Sequence, residues 1–319
     1  MRRVLLTVAL TLTAAAPAHA ATLANWDKAE QRAVTRARVL PPLAGGFHGE
    51  RALTPGQLEH ALGRLAGESQ VSVPDARITV ALFHKLVVKR LGLSDLARGV
   101  QDEAARAGLD PPSRFGTEVV ARQLGLRFDH PTQDDRLELY PTDAITRAEA
   151  AYSFAKILAN PTGGPYYARE ILDRFKLPSY DAAQKRALSL AVSKIGMPYV
   201  WGGETDTASN SQFGPQAHGG YDCSGFVWRV FKLSGDPAGA HIGGRTAEAM
   251  AKEIRKRERI RFGAIEPGDL LFFAPPGISH VGIALSKDFT IHSSSQGVYV
   301  APLFEGWRRA EFAWARRVL

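Results

Sequence analysis

The sequence has very little cysteine: Cys223 is the single one in 319 residues. A disulfide bridge needs two thiols, so no bridge within the chain stabilises its fold, although exported proteins commonly carry paired cysteines. The lone thiol is either a buried structural group or a reactive nucleophile. A structural cysteine is expected in the middle of an apolar run, whereas this one lies at the polar edge of residues 221–226 (YDCSGF). The setting favours the nucleophile.

Long apolar runs are also scarce. The chain begins with the basic sequence MRR, continues with an apolar run from Val4 to about Ala16, and reaches an A-x-A sequence at Ala20. This order is typical of a secretory signal peptide, so we predict one over residues 1–20. The run is shorter than the roughly 20 residues that a membrane span needs, and no second run has that length. We expect a secreted, extracytoplasmic protein that has no membrane span.

Negative charge is in the minority, because 40 Lys and Arg residues outnumber 32 Asp and Glu residues and give a formal charge of +8. A basic exported protein is attracted to anionic surfaces such as wall polymers. The basic residues are scattered rather than gathered into a stripe, which argues against nucleic acid as a partner. We interpret the densest run, residues 252–261 (KEIRKRERIR), as a solvated face, because its glutamates offset its charge.

The length predicts two domains, each with its own core. Residues 21–175 have the polar breaks and amphipathic spacing of a mainly α-helical domain, which a Pro- and Gly-rich cluster at residues 160–165 closes. After residues 177–179, and above all from Ile195 onward, short apolar runs separated by Gly and Pro indicate strands. We therefore predict an α+β domain over residues 181–319, with helices packed on an antiparallel sheet.

Three segments of the helical domain have a threonine before an amphipathic pattern: residues 53–57, 78–82 and 145–149. In the first and third, a Gln or Glu follows the threonine by three residues, the spacing of a capping box. The third segment, with residues 139–151 (LYPTDAITRAEAA), resembles the surface-layer homology repeat. That resemblance implies non-covalent binding of an anionic secondary wall polysaccharide through Thr146, Arg147 and Glu149. The alternative is that Thr146 and Glu149 only cap a helix.

The apolar residues after Cys223 have helical spacing, and Asp222 is a natural N-cap, so a helix should begin near the cysteine. The positive end of a helix dipole favours the thiolate form. Gly225 leaves room for another element to approach closely.

Two histidines lie in strand-like segments downstream. His280, Gly282 and Ala284 share one strand face, which is stripped to small residues, so we expect the cysteine helix to lie against that face. His292 shares the face only if it pairs opposite Gly282 or Ala284, because a shift of one residue would turn it to the other side. In that register His292 would orient the ring of His280, the third role in a catalytic triad.

Several motifs occur together in a fixed order that resembles the NlpC/P60 family of cysteine peptidases. The resemblance covers residues 181–319 and implies a papain-like fold and cleavage of cell-wall stem peptides between D-γ-glutamate and a diamino acid. By position it makes Cys223 the nucleophile, His280 the base and His292 the orienting residue. The matching segments are residues 198–203 (PYVWGG), 222–225 (DCSG), 245–246 (RT), 267–270 (PGDL), 280–283 (HVGI), 291–292 (IH) and 315–318 (ARRV).

The same resemblance places further residues at the substrate: Tyr199, Trp201, Asp222, Ser224 and Arg245. Two features depart from the family pattern. Residues 204–221 form a longer, polar connection beside the nucleophile, and residues 247–250 (AEAM) lie where the family often has glutamines. Both are expected to affect access to the substrate or its local contacts.

The expected partner is therefore the peptidoglycan stem peptide, with no cofactor. A metal site is not expected, because the histidines lack nearby carboxylates or thiols at zinc-site spacing. Two other interpretations stay open at this point. The domain would act as an amidase or acyltransferase on another exported substrate, or it would be a wall-binding protein without catalysis.

Overall fold

The computed structural model describes residues 26–67, 69–216, 218–274 and 277–319. The predicted signal peptide, residues 1–20, lies outside the described residues. Within the described ranges, no helix combines the length and the apolar character that a membrane crossing requires. The fold is of the mixed α+β class, with a helical part followed by helices around an antiparallel sheet.

The first part of the chain is helical, as predicted. The buried side of each helix carries the apolar residues of the 3.6-residue repeat. The helices are α1 (Lys28–Arg36), α2 (Pro55–Arg64), α3 (Val80–Arg90), α4 (Ser94–Arg106), α5 (Phe115–Gln123), α6 (Arg147–Ala159) and α7 (Gly163–Asp173), with a 3₁₀ helix over Thr132–Leu137.

Three of these helices begin after a threonine. The hydroxyl groups of Thr54, Thr79 and Thr146 each accept the backbone N–H three residues later. Each contact satisfies one of the donors that a helix N-terminus leaves without a partner. Thr54 and Gln57 form the full capping box that their spacing predicted. Isolated β-bridges join the segments before α2 and α3 to the segment before α6, so the three helix starts lie side by side.

The second part begins with α8 (Ala182–Ser193), which Asp181 and Gln184 cap reciprocally. Its remaining elements are β1 (Glu204–Thr205), β2 (Ser209–Ser211), β3 (Gly214–Gln216), β4 (Gly220–Tyr221), α9 (Cys223–Phe231), α10 (Ala247–Lys252), β5 (Leu270–Phe273), β6 (His280–Ala284), β7 (Phe289–Ser294), β8 (Gly297–Pro302), α11 (Gly306–Ala310) and β9 (Phe312–Arg316), with 3₁₀ helices over Pro237–His241, Lys256–Glu258 and Phe262–Ala264.

Five of these strands form one antiparallel sheet in the order β8-β7-β6-β5-β9. Successive side chains of β6 point to opposite faces of the sheet. Val281 and Ile283 belong to the large core that also holds Phe226 and Val227 of α9. Ala284 belongs to a smaller apolar cluster that contains no residue of α9.

The expectation that α9 would cover the face of His280 is therefore wrong. The apolar side of α9 packs where β6 offers large apolar side chains, which lie on the face of Val281. The small residues of β6 make room instead for β7, because a Cβ atom on Gly282 would lie 3.1 Å from the Cβ atom of His292. His280 is the first residue of β6, so it still lies at the end of the strand that faces the start of α9.

The buried core runs through both parts of the chain without a break, from Val34 to Val318. Polar contacts cross the same boundary: the side-chain amide of Gln123 donates to the carbonyl of Val300 at 2.9 Å. The sequence suggested two separate cores, whereas the helical part and the sheet bury their apolar residues against each other.

Candidate active site

The single cysteine is the first residue of α9, as predicted. Asp222 caps this helix, and its Oδ1 atom accepts the backbone N–H of Gly225. A Cβ atom on Gly225 would lie 1.7 Å from the carbonyl oxygen of Gly203, so only glycine permits this approach. The sulfur atom of Cys223 lies 3.9 Å from the carbonyl oxygen of Ser279, the residue that precedes His280. The helix start and the start of β6 therefore meet at the cysteine.

The charge state of the thiol differs from our expectation. Burial, with a smaller contribution from the neighbouring Asp222 carboxylate, raises the pKa of the Cys223 thiol to about 12. The backbone N–H groups of Val281 and Ser224 act in the opposite direction but are outweighed. The thiol is partly exposed at a cavity and otherwise enclosed by β6. At neutral pH it is protonated, because loss of solvation outweighs the helix dipole.

The two histidines contact each other directly. Ile283 pairs with Ile291 and Ala284 with Thr290, and this register places His292 opposite Gly282, as predicted. The Nε2 atom of His280 lies 2.7 Å from the Nδ1 atom of His292. One of these nitrogens donates the proton that the other accepts.

Aromatic rings and burial keep both histidines neutral. The ring of His280 contacts Trp307 of α11 with 5.4 Å between centroids, and the ring of His292 contacts Tyr299 of β8 at 4.5 Å. Burial lowers the pKa of His280 to about 3, with a smaller contribution from the Arg308 guanidinium. Burial likewise lowers the pKa of His292 well below its ordinary value, and the neighbouring His280 adds to this. Both imidazoles are therefore neutral at neutral pH, and each has one unprotonated ring nitrogen.

Sequence reasoning did not select Trp307 or Tyr299. Tyr299 lies directly opposite His292 in the β7–β8 register, so correct pairing of these strands could have identified it. Trp307 reaches the site from α11, which follows the sheet, and no spacing rule connects it to the histidines.

A cavity of about 280 Å³ opens beside the sulfur atom. Four of the predicted substrate residues line it, and the fifth, Arg245, does not. Burial raises the pKa of the Tyr199 hydroxyl above its ordinary value, so it is a neutral donor. The lining residues are Tyr199, Trp201, Phe213, Asp222, Cys223, Ser224, Thr246, Ala247, Glu248, Ile278 and Ser279.

Arg245 stabilises the residues around the cavity without lining it. Its side chain is buried, and its guanidinium pairs with Glu204 and Asp222 at 2.6 and 3.2 Å. It also donates to the hydroxyl of Ser224 and to the backbone carbonyls of residues 202 and 203. Arg245 therefore joins the cap of α9 to the loop before β1, which is a structural contribution.

The long connection over residues 204–221 forms two short hairpins, β1–β4 and β2–β3. Phe213 lies at the turn between β2 and β3 and lines the cavity, with its ring 5.1 Å from the guanidinium carbon of Arg245. The segment was expected beside the nucleophile, but no sequence pattern singles out Phe213 as a residue that lines the cavity. The helical part also reaches this region, because an Asp135 carboxylate oxygen accepts the backbone N–H of Trp201 at 3.2 Å.

The residues predicted to bind wall polysaccharide make contacts within the protein. Arg147 and Glu149 are 1% and 4% exposed. Arg147 donates to the carbonyls of Phe47 and Pro41, and Glu149 pairs with His130 at 2.7 Å. These contacts favour the capping and packing interpretation. Direct polysaccharide binding by these side chains stays a prediction.

Among the described residues, no group of three or more His, Cys, Asp or Glu side chains has the geometry of a metal site. The arrangement instead combines a neutral thiol at a helix start with a neutral imidazole pair at the adjoining strand. Attack by this thiol requires that its proton move to a base as the new bond forms.

Comparison with known proteins assigns the C-terminal part of the chain, which carries this site, to a family. Residues 196–317 match the model of the NlpC/P60 family, so the C-terminal part of the protein is an NlpC/P60 domain. The family match does not extend to the helical part.

Two curated relatives and one solved structure have similar sequences. The chain is 29% identical to the probable peptidoglycan endopeptidase LytE of Bacillus subtilis over 134 residues, which are 41% of this chain and 34% of that protein. It is 30% identical to the murein DD-endopeptidase MepH of Escherichia coli over 142 residues, 43% and 46% of the two chains. An NlpC/P60 protein structure from Bacillus cereus is 27% identical, with a TM-score of 0.32 and coverage of 45% and 42%. The chain thus spans less than half of the length of the curated relatives it matches.

Proposed function

We propose that this protein is an exported cell-wall hydrolase that cleaves peptide bonds in the stem peptides of peptidoglycan by a cysteine mechanism. The observation that carries the proposal is the meeting of Cys223, at the start of α9 and on a cavity, with the start of the strand that carries His280. The names of the two curated relatives support the substrate class. The bond proposed is the one between D-γ-glutamate and the diamino acid.

In the first half of the reaction, the sulfur of Cys223 attacks the scissile carbonyl carbon while its proton moves to the free ring nitrogen of His280. The tetrahedral oxyanion is held by the backbone N–H of Cys223, one of the donors that the first turn of α9 leaves without a helical partner. His280 then gives its proton to the departing amine nitrogen, the carbon–nitrogen bond breaks, and a thioester remains.

In the second half, water attacks the thioester carbonyl and gives a proton to His280. The carbon–sulfur bond breaks, and the proton returns to the sulfur atom, which regenerates the thiol. His280 must present an unprotonated nitrogen to the thiol in each cycle. In this mechanism the Nε2 atom of His280 carries the ring proton and donates it to Nδ1 of His292, 2.7 Å away, so the other nitrogen of His280 is the acceptor.

The test compares wild type, Cys223→Ala and Cys223→Ser on isolated peptidoglycan, with released fragments identified by mass spectrometry. Wild type should release fragments that end in D-γ-glutamate or begin with the diamino acid, and both variants should release none. Equal release by wild type and Cys223→Ala would refute the cysteine mechanism. Fragments cut at the bond between sugar and peptide would identify an amidase instead.

We also propose that the helical part, residues 21–175, holds the protein to an anionic wall polysaccharide. Residues 21–175 are nearly neutral overall, with 20 Lys and Arg residues against 19 Asp and Glu residues, so the attachment depends on exposed cations gathered on one face rather than on net charge. The full-length Cys223→Ala protein should sediment with purified walls and lose this binding when the secondary polymers are extracted. Undiminished binding after extraction would contradict the proposal.

A further inference from the structure

The first helix carries a line of positive charge. Lys28, Arg32 and Arg36 are exposed and follow one another at intervals of four residues, so they lie on one side of α1. Within the described part of the chain, none of the three pairs with a carboxylate. We call Lys28, Arg32 and Arg36 the α1 basic stripe.

Nearby acids do not neutralise this stripe. Glu30 is on the same helix, but at 100° per residue it lies about 160° around the axis from Arg32. Asp27, at the N-cap, is fully buried and accepts from the side-chain amide of Gln31 at 2.6 Å. Burial raises the pKa of Asp27 to about 7, which reduces its negative charge at neutral pH. The stripe therefore keeps its positive charge.

The stripe borders a shallow cavity of about 450 Å³, larger than the one beside Cys223. Among the residues that the structure describes, no carboxylate lines this cavity. Its lining consists of the three cations together with Gln31, Thr35 and Phe47.

Phe47 is held in place by Arg147. The guanidinium carbon of Arg147 lies 4.7 Å from the centre of the Phe47 ring, and its Nε atom donates to the Phe47 carbonyl at 2.9 Å. A second donor of Arg147 reaches the carbonyl of Pro41 at 2.8 Å. Two points within the loop between α1 and α2 are thereby fixed, and the ring of Phe47 lies beside the cations.

The geometry selects the kind of ligand. Lys28 and Arg36 are eight residues apart, or about 12 Å along the helix, which is too far for one small anion to span. A chain with repeated negative charges matches three cations one turn apart. The fixed ring of Phe47 offers a flat apolar surface on which a sugar ring can pack.

We propose that the α1 basic stripe and Phe47 form a binding site for an anionic polysaccharide. This proposal rests on the wall attachment proposed above and is independent of hydrolysis. It assigns Arg147 to positioning Phe47 rather than to contact with the polymer. A helix that binds a lipid surface also exposes a broad apolar face, whereas the stripe is accompanied by the ring of Phe47. Nucleic acid, which a basic helix stripe can also bind, is an outcome of the test.

The experiment measures binding in full-length Cys223→Ala protein, in which the proposed nucleophile is absent. The probes are polygalacturonate, neutral dextran, a 16-base-pair DNA duplex and vesicles with phosphatidylglycerol. The variant Lys28→Gln/Arg32→Gln/Arg36→Gln is compared with the control Arg255→Gln/Lys256→Gln/Arg257→Gln, which removes three exposed charges from another surface. Phe47→Leu tests the ring while keeping an apolar side chain. Circular dichroism verifies that each variant is folded.

Polygalacturonate should bind to the parent protein, with affinity that falls as salt increases. The stripe variant should lose about tenfold or more of this affinity, since each of three charge contacts contributes modestly. The control triple should lose less than about threefold. Phe47→Leu should lower the affinity for polygalacturonate and leave the salt dependence of that affinity unchanged.

Equal losses in the stripe and control variants would overturn the site, because net charge alone would then explain binding. Equal binding of dextran, or stronger stripe-dependent binding of DNA or vesicles, would overturn the polysaccharide assignment. Cleavage of peptidoglycan by wild type is measured separately. Failure of that assay would leave the outcome of the binding assay intact.

Discussion

The Nε2 atom of His280 lies 2.7 Å from the Nδ1 atom of His292. This contact fixes the ring of His280 and determines which of its nitrogens faces away from His292. His292 is fully buried, and its side-chain hydrogen bond among the described residues is with His280. Neither histidine is among the residues that line the cavity beside Cys223. In the proposed mechanism the contribution of His292 therefore passes through His280.

The first prediction concerns this orientation. In His292→Leu, kcat should fall by about 10²- to 10⁴-fold because His280 loses the acceptor that holds its ring, while KM should change little. His292→Asn keeps a polar acceptor and should recover part of the loss. Steady-state kinetics on a defined stem peptide measures both constants. A change confined to KM would show that His292 does not act through His280.

The second prediction concerns the pH dependence of the thiol. Because burial raises the pKa of Cys223 to about 12, its thiolate fraction should increase throughout the range from pH 7 to pH 10. Iodoacetamide should therefore alkylate the protein slowly at pH 7 and progressively faster toward pH 10. Alkylation is followed by intact mass, with Cys223→Ala as the unlabelled control. A rate that levels off at or below pH 8.5 would contradict the raised pKa.

The third prediction concerns the acid side of the activity profile. The pKa of His280 is lowered to about 3 by burial, so its ring remains an acceptor through the mildly acidic range. We expect kcat/KM to be nearly constant from pH 7 to pH 5, without a decline centred near 6.5. Arg308→Gln removes a cation that lowers the same pKa and should shift the acid decline to higher pH. An acid decline near 6.5 in wild type would argue against a neutral His280.

The fourth prediction concerns the buried Asp27. Its folded-state pKa of about 7 is higher than the unfolded value near 3.8, so its favourable contribution is present below the unfolded value and is lost as pH rises through 7. Asp27→Asn should therefore raise the melting temperature at pH 8 more than at pH 5. Asp95→Asn, at an exposed carboxylate, should have little effect at either pH. Equal changes at both pH values would contradict this assignment.

The fifth prediction separates support from substrate contact. Arg245→Met removes a buried cation from two carboxylates and should lower the free energy of unfolding by about 3–5 kcal/mol. Arg98→Met, at an ion pair with Asp95 whose two side chains are both exposed, should cost less than about 1 kcal/mol. Denaturant unfolding measures both. A higher KM for Arg245→Met with an unchanged free energy of unfolding would instead support the prediction from sequence that Arg245 contacts the substrate.

The sequence was sufficient to predict the elements that carry the proposed chemistry. The alternation of residues 280–285 and 289–292 predicted the strands, and the requirement that both histidines share a face predicted their register. Asp222 predicted the start of α9, because its side chain can satisfy a backbone donor only at that end of a helix.

Other features depend on packing between distant segments. The side of β6 that α9 covers is decided by which face offers apolar volume, and periodicity alone does not indicate this choice. Phe213 and Trp307 reach their positions through a hairpin and a short helix. The protonation of Cys223 depends on how completely the strand encloses the sulfur, whereas the sequence showed only the helix dipole.

The α1 basic stripe also cannot be recognised as a binding site from the sequence alone. Its three cations are visible in the sequence, but the same spacing is common in solvated helices. Only the fold shows that a fixed aromatic ring and a cavity accompany them.

The uninterrupted core between the helical part and the sheet has a consequence for how the molecule would work on a wall. A protein whose halves are linked by a loose tether can sweep its cleft through a wide volume around one anchoring point. Here the packing of Gln123 against Val300 and of their apolar neighbours leaves no such tether. Once α1 was anchored to a polymer strand, the cleft would stand at a constant offset and angle from it. The choice of which crosslinks are cut would then follow from the architecture of the wall.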